Sequence, residues 1–353
     1  MSAAIDSTAR TLTVAVLAGG RSSEHEVSLS SATAVRDGLL SAGHEVVWVE
    51  IGRDGVWRDG GGERLSVSPG AGLMEGVDVV FPALHGPFGE DGTVQGLLET
   101  LGVAYVGAGV AASAVCMDKV LFKELLSAPD GAMPQVDFAG VREERFRRAR
   151  EQVLAEIAEL GLPAFVKPAH LGSSVGIVRV TEAERMGAAL ESAFAHDELA
   201  IVEAAATGIE VEVGVLGRTR AQREATVDGT HARASEPGEI VFAGDWYDYE
   251  AKYATGGMEL RVPARISATA RERVMELAVQ TFARVGCEGL ARVDFFVDGE
   301  RVLVNELNTM PGFTPTSVYA KLMAASGIAY PDLVDRLCRL GIERSQERRA
   351  YRN

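Results

Sequence analysis

The alternation of strands and helices in the first third of the chain constrains its fold most strongly. Apolar segments with the length and composition of buried strands occur at residues 14–17, 46–51 and 77–84. Helical patterns between and after them occur at about 24–40 and 93–101. This alternation predicts a parallel sheet covered by helices on both faces, with ligands bound at the carboxyl ends of its strands. Glycine-rich segments at 19–20 and 86–92 follow two of these strands and therefore lie at that edge.

From about residue 112 the pattern changes to α+β. Helical patterns occur at 113–126, 143–160, 182–195 and 268–285, and a further helix opens at about 318. Strand patterns occur at 164–167, 176–180, 200–203, 209–216, 221–227 and 239–242, and a hairpin at 290–307. A length of 353 residues allows two or three domains. We predict three: an α/β domain over 1–111, a central α+β domain over 112–202, and a C-terminal α+β domain over 203–353.

Charge and cysteine content exclude several classes of protein. A net charge of -15 argues against a nucleic-acid surface, which needs clustered Lys and Arg. The few basic clusters, at 147–150 and near the C-terminus, are expected to be solvated helix faces or a frayed end. Cys116, Cys287 and Cys338 lack Cys-x-x-Cys spacing, which argues against a disulfide framework or a zinc site. Without a leader-like or 18-residue apolar segment, we expect a cytoplasmic protein with no membrane partner.

Acidic residues on two adjacent predicted strands indicate a magnesium site. Asp294 lies within the apolar strand 291–297, and Glu306 and Asn308 lie within the strand 301–308. Oxygen ligands of this kind suit Mg²⁺, and buried carboxylates are costly unless they are paired or metal-bound. A salt bridge from Arg292 to one of the acids is the alternative interpretation.

The turn between these strands bears on the same prediction. A two-residue turn at Asp298-Gly299 would place Asp294 and Glu306 on opposite faces of the hairpin. The metal site therefore predicts either an odd-numbered loop, with Gly299 in the left-handed conformation, or a β-bulge.

Other polar segments are ambiguous when taken alone. The Gly/Ser-rich segment 168–176, preceded by Lys167, joins two strands and lacks the Gly-Lys-Ser/Thr ending of a Walker A loop. It could wrap phosphates with backbone N–H groups, or be a plain surface hairpin. Glu24 could receive a substrate ammonium or be a solvated first-turn acid, since Ser23 and Glu26 fit a capping box.

The segment 310–317 follows the metal strands directly. Gly312 could let a reacting group approach a bare backbone N–H. Ser317 could hold a carboxylate at a helix N-terminus, or could be an ordinary N-cap serine. Lys119 and Lys123 occupy a predicted helix, where an exposed lysine is the default expectation.

Taken together, these motifs resemble the D-alanine–D-alanine ligase family of the ATP-grasp superfamily, from about residue 14 to residue 344. The resemblance rests on Gly-Gly-Arg-Ser-Ser-Glu-His-Glu-Val-Ser at 19–28, Leu-His-Gly-Pro-Phe-Gly-Glu-Asp-Gly-Thr at 84–93, and Met-Asp-Lys at 117–119. It continues with Val-Lys-Pro at 166–168, Gly-Ser-Ser-Val-Gly at 172–176 and Tyr-Asp-Tyr-Glu-Ala-Lys-Tyr at 247–253. It ends with Arg-Val-Asp at 292–294 and Asn-Glu-Leu-Asn-Thr-Met-Pro-Gly-Phe-Thr at 305–314.

The resemblance implies roles for the substrate-binding residues. Glu24 would hold the amino group of the first D-alanine, with His85 nearby. Ser173 and Tyr253 would link to Glu24 when loops close over the site. Ser317 would take the carboxylate of the second D-alanine, and Arg292 with the Gly312 N–H would stabilise the oxyanion. A homodimer is also implied.

The same resemblance implies a nucleotide and metal site. The residues around ATP would be Lys119, Lys167 and Lys252 at the phosphates, Ser173 and Asn308 close to them, Glu203 and Ala206 at the adenine, and Glu210 at the ribose. Two Mg²⁺ ions, for which Mn²⁺ can substitute, would be bound by Asp294, Glu306 and Asn308, with Glu306 bridging. The Ala-rich segment 203–206 is plainer than the bulkier hinge common in relatives.

The implied reaction is ATP-dependent joining of two D-alanines through an acyl phosphate, for peptidoglycan precursors. Ligases that accept D-lactate or D-serine second are an alternative, but the Glu-Ala-Lys-Tyr form at 250–253 is usual for D-alanine acceptors. A non-catalytic nucleotide-binding module would not need Arg292. A dinucleotide-dependent dehydrogenase is disfavoured, because Gly-x-Gly-x-x-Gly is absent.

Overall fold

The computed structural model describes residues 10–68, 73–172, 176–218, 232–242 and 258–351. Its first sheet consists of β1 (Thr13–Gly19), β2 (Glu45–Ile51), β3 (Trp57–Asp59) and β4 (Val79–Pro82), in the order β3-β2-β1-β4. Strands β2 and β4 run parallel to β1, and β3 is an antiparallel edge strand. Helices α1 (His25–Ser41) and α2 (Thr93–Leu101) follow β1 and β4. The predicted parallel sheet is confirmed, and both glycine-rich turns lie at its carboxyl edge.

The second sheet is antiparallel and has the order β5-β8-β6-β7. Its strands are β5 (Phe138–Arg142), β6 (Ala164–Pro168), β7 (Val178–Val180) and β8 (Leu199–Ala204). The helices before and around it are α3 (Val110–Met117), α4 (Lys119–Leu126), α5 (Glu143–Arg148), α6 (Arg150–Ala158) and α7 (Met186–Phe194), the last preceded by a 3₁₀ turn at Ala183–Arg185. Each of the sequence-predicted helices 113–126 and 143–160 is therefore two helices.

Local backbone geometry explains both breaks. Asp118 is extended, and its side chain accepts hydrogen bonds of 3.0 Å from the backbone N–H groups of Val120 and Leu121, so that it caps α4. Ala149 has φ -139° and ψ 46°, which interrupts the helix between α5 and α6. Because Asp118 caps α4, Lys119 is the first residue of that helix, and the cap fixes its backbone position.

The third sheet has the order β12-β11-β9-β13-β14, with β10 also paired to β9. Its strands are β9 (Ile209–Arg218), β10 (Arg233–Ala234), β11 (Gly238–Phe242), β12 (Met258–Arg261), β13 (Glu288–Asp298) and β14 (Arg301–Asn308). Helix α8 (Ala268–Arg284) covers one face, where Val274 and Leu277 pack with Val213 and Val293. The predicted strand 221–227 lies outside the described residues.

The β13–β14 hairpin contains the β-bulge that the metal site predicts. Its turn is a two-residue turn at Gly299-Glu300, because Asp298 pairs with Arg301. The odd-numbered loop was therefore wrong, although Gly299 does adopt φ +59°, as suits the first position of such a turn. The register shifts between Asp294 and Phe295, leaving Asn305 as an extra residue on β14.

The last two helices, α9 (Val318–Ala325) and α10 (Tyr330–Ala350), return the chain to the first sheet. Leu333, Val334 and Leu337 of α10 are buried in one core with residues of β1 and β4. Arg344 is 5% exposed, lies 4.1 Å from the centre of the Tyr105 ring and donates a hydrogen bond of 2.9 Å to the Tyr105 carbonyl. The expectation of a solvated or frayed basic tail was wrong for this arginine.

The three-domain division at 111/112 and 202/203 stays a prediction, and β8 continues through the second of these boundaries to Ala204. Within the described ranges, no helix is both long enough and apolar enough to cross a membrane.

Candidate active site

A cavity of about 790 Å³ brings the sequence-predicted site residues together. The first-sheet region contributes Glu24 and His85, and the second sheet with the segment after β8 contributes Lys119, Lys167, Glu203 and Ala206. The third sheet and the segment after it contribute Glu210, Arg292, Asp294, Glu306, Asn308, Gly312 and Ser317. Ser173, Lys252 and Tyr253 lie outside the described residues. Every predicted site residue that the structure describes lines this one cavity.

Glu24 stands at the start of α1 with its side chain directed toward two glycine turns. It is the N-cap residue by position, but its side chain makes no capping hydrogen bond. A Cβ atom built on Gly86 would lie 2.4 Å from Oε2 of Glu24, and one built on Gly172 would lie 4.0 Å from it. The Ser23–Glu26 capping box was wrong, since Ser22 Oγ accepts the Glu24 N–H at 3.2 Å and Glu26 pairs with Arg53 at 3.1 Å.

His85 ties the loop after β4 to the segment after β14. One ring nitrogen, Nε2, lies 2.9 Å from Ser31 Oγ, and the other, Nδ1, lies 3.2 Å from the Met310 carbonyl oxygen and 3.6 Å from Glu90 Oε1. Burial lowers the pKa of His85, but the Glu90 carboxylate and its hydrogen bond raise it more. The contacts of both ring nitrogens hold the loop beside Glu24 in position.

A buried carboxylate lies between two lysines at the second sheet. Glu203, 4% exposed, has Oε2 at 2.6 Å from Lys167 Nζ and Oε1 at 2.9 Å from Lys123 Nζ. Burial alone would raise the pKa of Glu203, but the two ammonium groups lower it to about 2. Lys123 is only 2% exposed, so the default expectation of an exposed lysine was wrong.

Lys119 and Leu171 join helix α4 to the segment after β6. Lys119 Nζ donates to the Leu171 carbonyl oxygen at 2.5 Å. Burial lowers the pKa of Lys119, and the like charge of Lys167 lowers it further. A phosphate group would relieve that repulsion, which makes this pair of lysines well suited to an anionic ligand.

His170 fixes the root of the same segment between two aspartates. Its Nδ1 lies 2.9 Å from Asp197 Oδ2, and its Nε2 lies 3.3 Å from Asp118 Oδ2. Hydrogen bonds to Asp118 and Asp197 raise the pKa of His170 to about 10. Because Asp118 also caps α4, this ion pair joins the helix that carries Lys119 to the start of the Gly/Ser-rich segment.

Three acidic residues form a row across adjacent strands of the third sheet. Asp294 of β13 is paired with Glu212 of β9 on one side and with Glu306 of β14 on the other. The Asn308 amide nitrogen lies 3.1 Å from Asp294 Oδ2 and 3.3 Å from Glu306 Oε1. Among the described residues no three His, Cys, Asp or Glu side chains converge as a metal site. The predicted set differs from such a cluster, since it has two carboxylates and one amide.

Arg292 is bound to two members of this row. Its Nε lies 2.7 Å from Asp294 Oδ1 and 2.8 Å from Glu212 Oε2, and its second terminal nitrogen donates to Asp294 Oδ2 at 2.7 Å. Burial opposes its charge, but these carboxylates raise the pKa of Arg292 further. The alternative salt bridge therefore exists, and the metal site stays a prediction. Glu212 was not among the sequence-predicted site residues. Its place between buried Val211 and Val213 of β9 was the available signal.

Gly312 and Ser317 face each other across the turn before α9. A Cβ atom on Gly312 would lie 3.3 Å from Ser317 Oγ. Ser317 is the N-cap residue of α9, but its side chain makes no capping hydrogen bond to that helix. Its Oγ instead accepts the Thr314 N–H at 3.0 Å. The backbone N–H groups at the start of α9 are thus suited to a ligand carboxylate.

Comparisons with known proteins show which family the chain resembles along most of its length. The family model described as D-ala D-ala ligase N-terminus matches residues 13–72 and 62–108, and the model described as D-ala D-ala ligase C-terminus matches residues 128–339. The D-alanine–D-alanine ligase of Deinococcus radiodurans is 44% identical over 346 residues, covering 94% of this chain and 98% of that protein. The enzyme of the same name from Mycobacterium tuberculosis is 43% identical over 365 residues, covering 92% and 94%.

Solved structures show the same similarity in three dimensions. The D-alanine–D-alanine ligase from Coxiella burnetii superposes with a TM-score of 0.82 at 34% identity, covering 97% of both chains. The VanG D-Ala:D-Ser ligase from Enterococcus faecalis superposes with a TM-score of 0.80 at 33% identity, covering 94% of this chain and 100% of that one.

Proposed function

The chain belongs to the D-alanine–D-alanine ligase family, and from that premise we propose how its cavity joins two D-alanine molecules. The enzyme is an ATP-dependent ligase that forms D-alanyl-D-alanine for peptidoglycan synthesis, with release of ADP and phosphate. The observation that carries the residue-level proposal is the convergence of all described predicted site residues on one cavity.

Glu24 receives the first D-alanine. The carboxylate of this substrate must point toward ATP, so its ammonium stays charged and needs an anion at the opposite end. Glu24 lines the cavity beside Gly86 and Gly172, where a small amino acid can approach it closely. His85 holds the neighbouring loop through Ser31 and Met310. Ser173 and Tyr253 are proposed to link to Glu24 when loops close over the site.

The nucleotide lies between the second and third sheets. Lys119 and Lys167, with Lys252, neutralise its phosphates, and the adenine lies against Glu203 and the backbone near Ala206. Glu210 accepts from the ribose hydroxyls. Phosphoryl transfer needs mainly positioning and charge stabilisation, and the paired lysines of this cavity provide both.

Asp294, Glu306 and Asn308 fit a site for two Mg²⁺ ions, for which Mn²⁺ can substitute. The row geometry presents two carboxylates side by side, and rotation of the Asn308 amide turns its oxygen toward them. When bound, the ions neutralise charge on the transferring phosphoryl group. Asp294 and Glu306 would thereby keep the positive charge of the ions close to the carboxylate of the first D-alanine.

Arg292 and the Gly312 N–H stabilise the oxyanion that forms when the second amine attacks the acyl phosphate. Two carboxylates hold the Arg292 guanidinium in place before substrates bind, so little reorganisation is needed. Ser317 and the N-terminus of α9 bind the carboxylate of the second D-alanine. Attack forms the peptide C–N bond and breaks the C–O bond to phosphate, and the amine proton leaves to solvent or phosphate.

Release of phosphate from ATP, measured with and without D-alanine, tests this function. We expect release that depends on D-alanine, with D-alanyl-D-alanine as the product identified by chromatography. Parallel assays offer D-serine or D-lactate as the second substrate, because one of the similar structures is a D-Ala:D-Ser ligase. A product mainly containing D-serine or D-lactate would overturn the D-alanine assignment. Phosphate release that is independent of D-alanine would contradict ligation altogether.

The enzyme is further proposed to work in the cytoplasm, where ATP is available, and as a homodimer. Size-exclusion chromatography with light scattering measures the second property directly. A monomer across the working concentration range would contradict it.

A further inference from the structure

Lys123 is a buried charged residue to which the proposed mechanism gives no role. It lies on α4 one turn after Lys119, so both side chains project from the same face of that helix. Its ammonium lies 2.9 Å from Glu203 Oε1 and 5.9 Å from the centre of the Phe138 ring. The ammonium and the carboxylate form a buried ion pair. Desolvation makes a lysine at this position destabilising unless its charge is paired.

Glu203 separates Lys123 from the cavity. Glu203 and Lys167 both line the cavity, whereas Lys123 is not among its lining residues. Lys123 therefore lies on the side of the Glu203 carboxylate that faces away from the cavity, where it does not contact a ligand. The Lys167 side chain is 15% exposed, compared with 2% for Lys123, and lies on the ligand side.

The two oxygens of Glu203 are divided between the two lysines. Oε1 faces Lys123, and Oε2 faces Lys167. A nucleotide phosphate within reach of Lys167 would compete with Oε2 for its ammonium. If Lys167 were the sole partner, that competition would leave a buried carboxylate without a counter-charge, which favours protonation. Lys123 prevents this, because no ligand can reach it to displace it.

We propose that Lys123 is a positioning residue that keeps Glu203 ionised and oriented for the nucleobase, so that the site selects adenine while Lys167 moves to the phosphates. This inference rests on the proposed function. An ionised carboxylate accepts a hydrogen bond from the exocyclic amino group of adenine. Guanine presents a carbonyl oxygen at the equivalent position, which the carboxylate repels. The neighbouring Ala204 and Ala206 offer no polar side chain, so Glu203 supplies the side-chain part of this discrimination.

Substitution of Lys123 by methionine separates this role from a merely structural one. Lys123→Met keeps length and apolar volume but removes the charge. We expect KM for ATP to rise at least tenfold and the preference for ATP over GTP, measured as a ratio of kcat/KM, to fall at least tenfold. KM for D-alanine should change less than twofold. Lys321→Met, at an exposed lysine of α9, is the matched control and should change none of these values. An unchanged nucleotide preference in Lys123→Met would overturn the proposal.

A double-mutant comparison tests whether Lys123 acts through Glu203. Adding Lys123→Met to Glu203→Gln should lower the ATP preference no further than Glu203→Gln alone, because the charge that Lys123 serves is already gone. If the double variant loses more of its preference for ATP over GTP than Glu203→Gln does, by the factor seen for Lys123→Met alone, the proposal is overturned. If Lys123→Met alone does not fold, the comparison of the double variant with Glu203→Gln still decides. A double variant that also fails to fold, beside a folded Glu203→Gln, would show that Lys123 acts elsewhere.

Calorimetric binding of ADP and GDP distinguishes this inference from the proposed function. If the wild-type protein releases no D-alanine-dependent phosphate, the function fails while the nucleotide preference remains measurable. Wild type should bind ADP more tightly than GDP, and Lys123→Met should narrow that difference at least tenfold. An active wild-type enzyme whose Lys123→Met variant keeps the full ADP preference would refute the inference alone.

Discussion

Glu306 lies directly opposite Asp294 because β14 contains one residue more than β13 requires at that point. Nearer the turn, Phe295 pairs with Val304, and in that uninterrupted register Asp294 would face Asn305. The bulge at Asn305 moves Glu306 to the same face as Asp294, toward the cavity. A single extra residue thus adds Glu306 to the row of carboxylates, and such bulges are common beside active sites.

Removal of either carboxylate should abolish turnover. Asp294→Ala and Glu306→Ala each remove a negative charge that the proposed Mg²⁺ ions require, and we expect kcat to fall by at least about a hundredfold. Circular dichroism and thermal unfolding should show a retained fold. Arg301→Ala, at an exposed position of the same hairpin, is the control and should keep near-normal activity. If either site variant keeps Mg²⁺-dependent turnover close to that of wild type, the substituted residue is not a ligand of the proposed metal site.

Local pattern predicted the elements well where one physical signal dominated. Strand–helix alternation predicted the parallel first sheet. The requirement that Asp294 and Glu306 share one face predicted the bulge in the β13–β14 hairpin. The break before α4 was missed because the Asp118 cap acts against a continuous apolar pattern. The break at Ala149 has no comparable sequence signal, since alanine is the best helix former.

Burial of charged side chains by partners distant in the chain could not be predicted from the sequence. Lys123 and Arg344 were assigned to solvent because charged residues seldom lie inside. Both are buried, since partners far along the chain accept their charge: Glu203 for Lys123, and the Tyr105 and Gly107 carbonyls for Arg344. The i, i+4 spacing from Lys119 was the one local signal for Lys123. Function required the family resemblance, because each motif alone had a structural alternative.

The His170 ion pair should give a pH-dependent contribution to stability. The pKa of His170 is raised from 6.5 to about 10, so its contribution is complete below pH 6.5 and is lost as pH rises through about 10. Burial raises the pKa of Asp118 and of Asp197, but His170 lowers both more, so their contributions are lost as pH falls below their ordinary value of 3.8. The benefit is therefore largest between about pH 4 and pH 6.5.

Thermal unfolding of His170→Asn across pH measures this contribution. His170 is 43% exposed, and partly exposed ion pairs contribute about 1 kcal/mol or less, so we expect a Tm lower by about 2 °C near pH 6. The difference should vanish near pH 10. His196→Asn, at an exposed histidine, serves as the control. A difference that is constant from pH 5 to pH 10 would show that packing, and not charge, is responsible.

Glu24→Gln should weaken binding of the first D-alanine only. The second D-alanine must present a neutral amine, and a carboxylate beside it would favour the wrong protonation state. Glutamine keeps the shape and a hydrogen-bond acceptor but loses the charge, and a charged hydrogen bond contributes about 1.5–3 kcal/mol. We expect KM for the first D-alanine to rise about tenfold or more, at about 1.4 kcal/mol per decade, with little change in the second. Glu26→Gln, beside it but paired with Arg53, should leave both values unchanged. A rise in the second KM alone would reverse the assignment.

The position of Glu24 can also be tested without touching its charge. Gly86 has φ +69°, and a Cβ atom there would lie 2.4 Å from Glu24 Oε2. Gly86→Ala should therefore displace the carboxylate and raise KM for the first D-alanine several-fold, in addition to the roughly 1 kcal/mol cost of a left-handed alanine. Gly43→Ala separates the two effects, because Gly43 has φ +85° and its added Cβ would meet nothing within 4 Å. Both variants should unfold at a lower temperature than wild type, but only Gly86→Ala should change KM. Equal kinetics in the two variants would mean that the carboxylate of Glu24 does not need this position to bind the substrate.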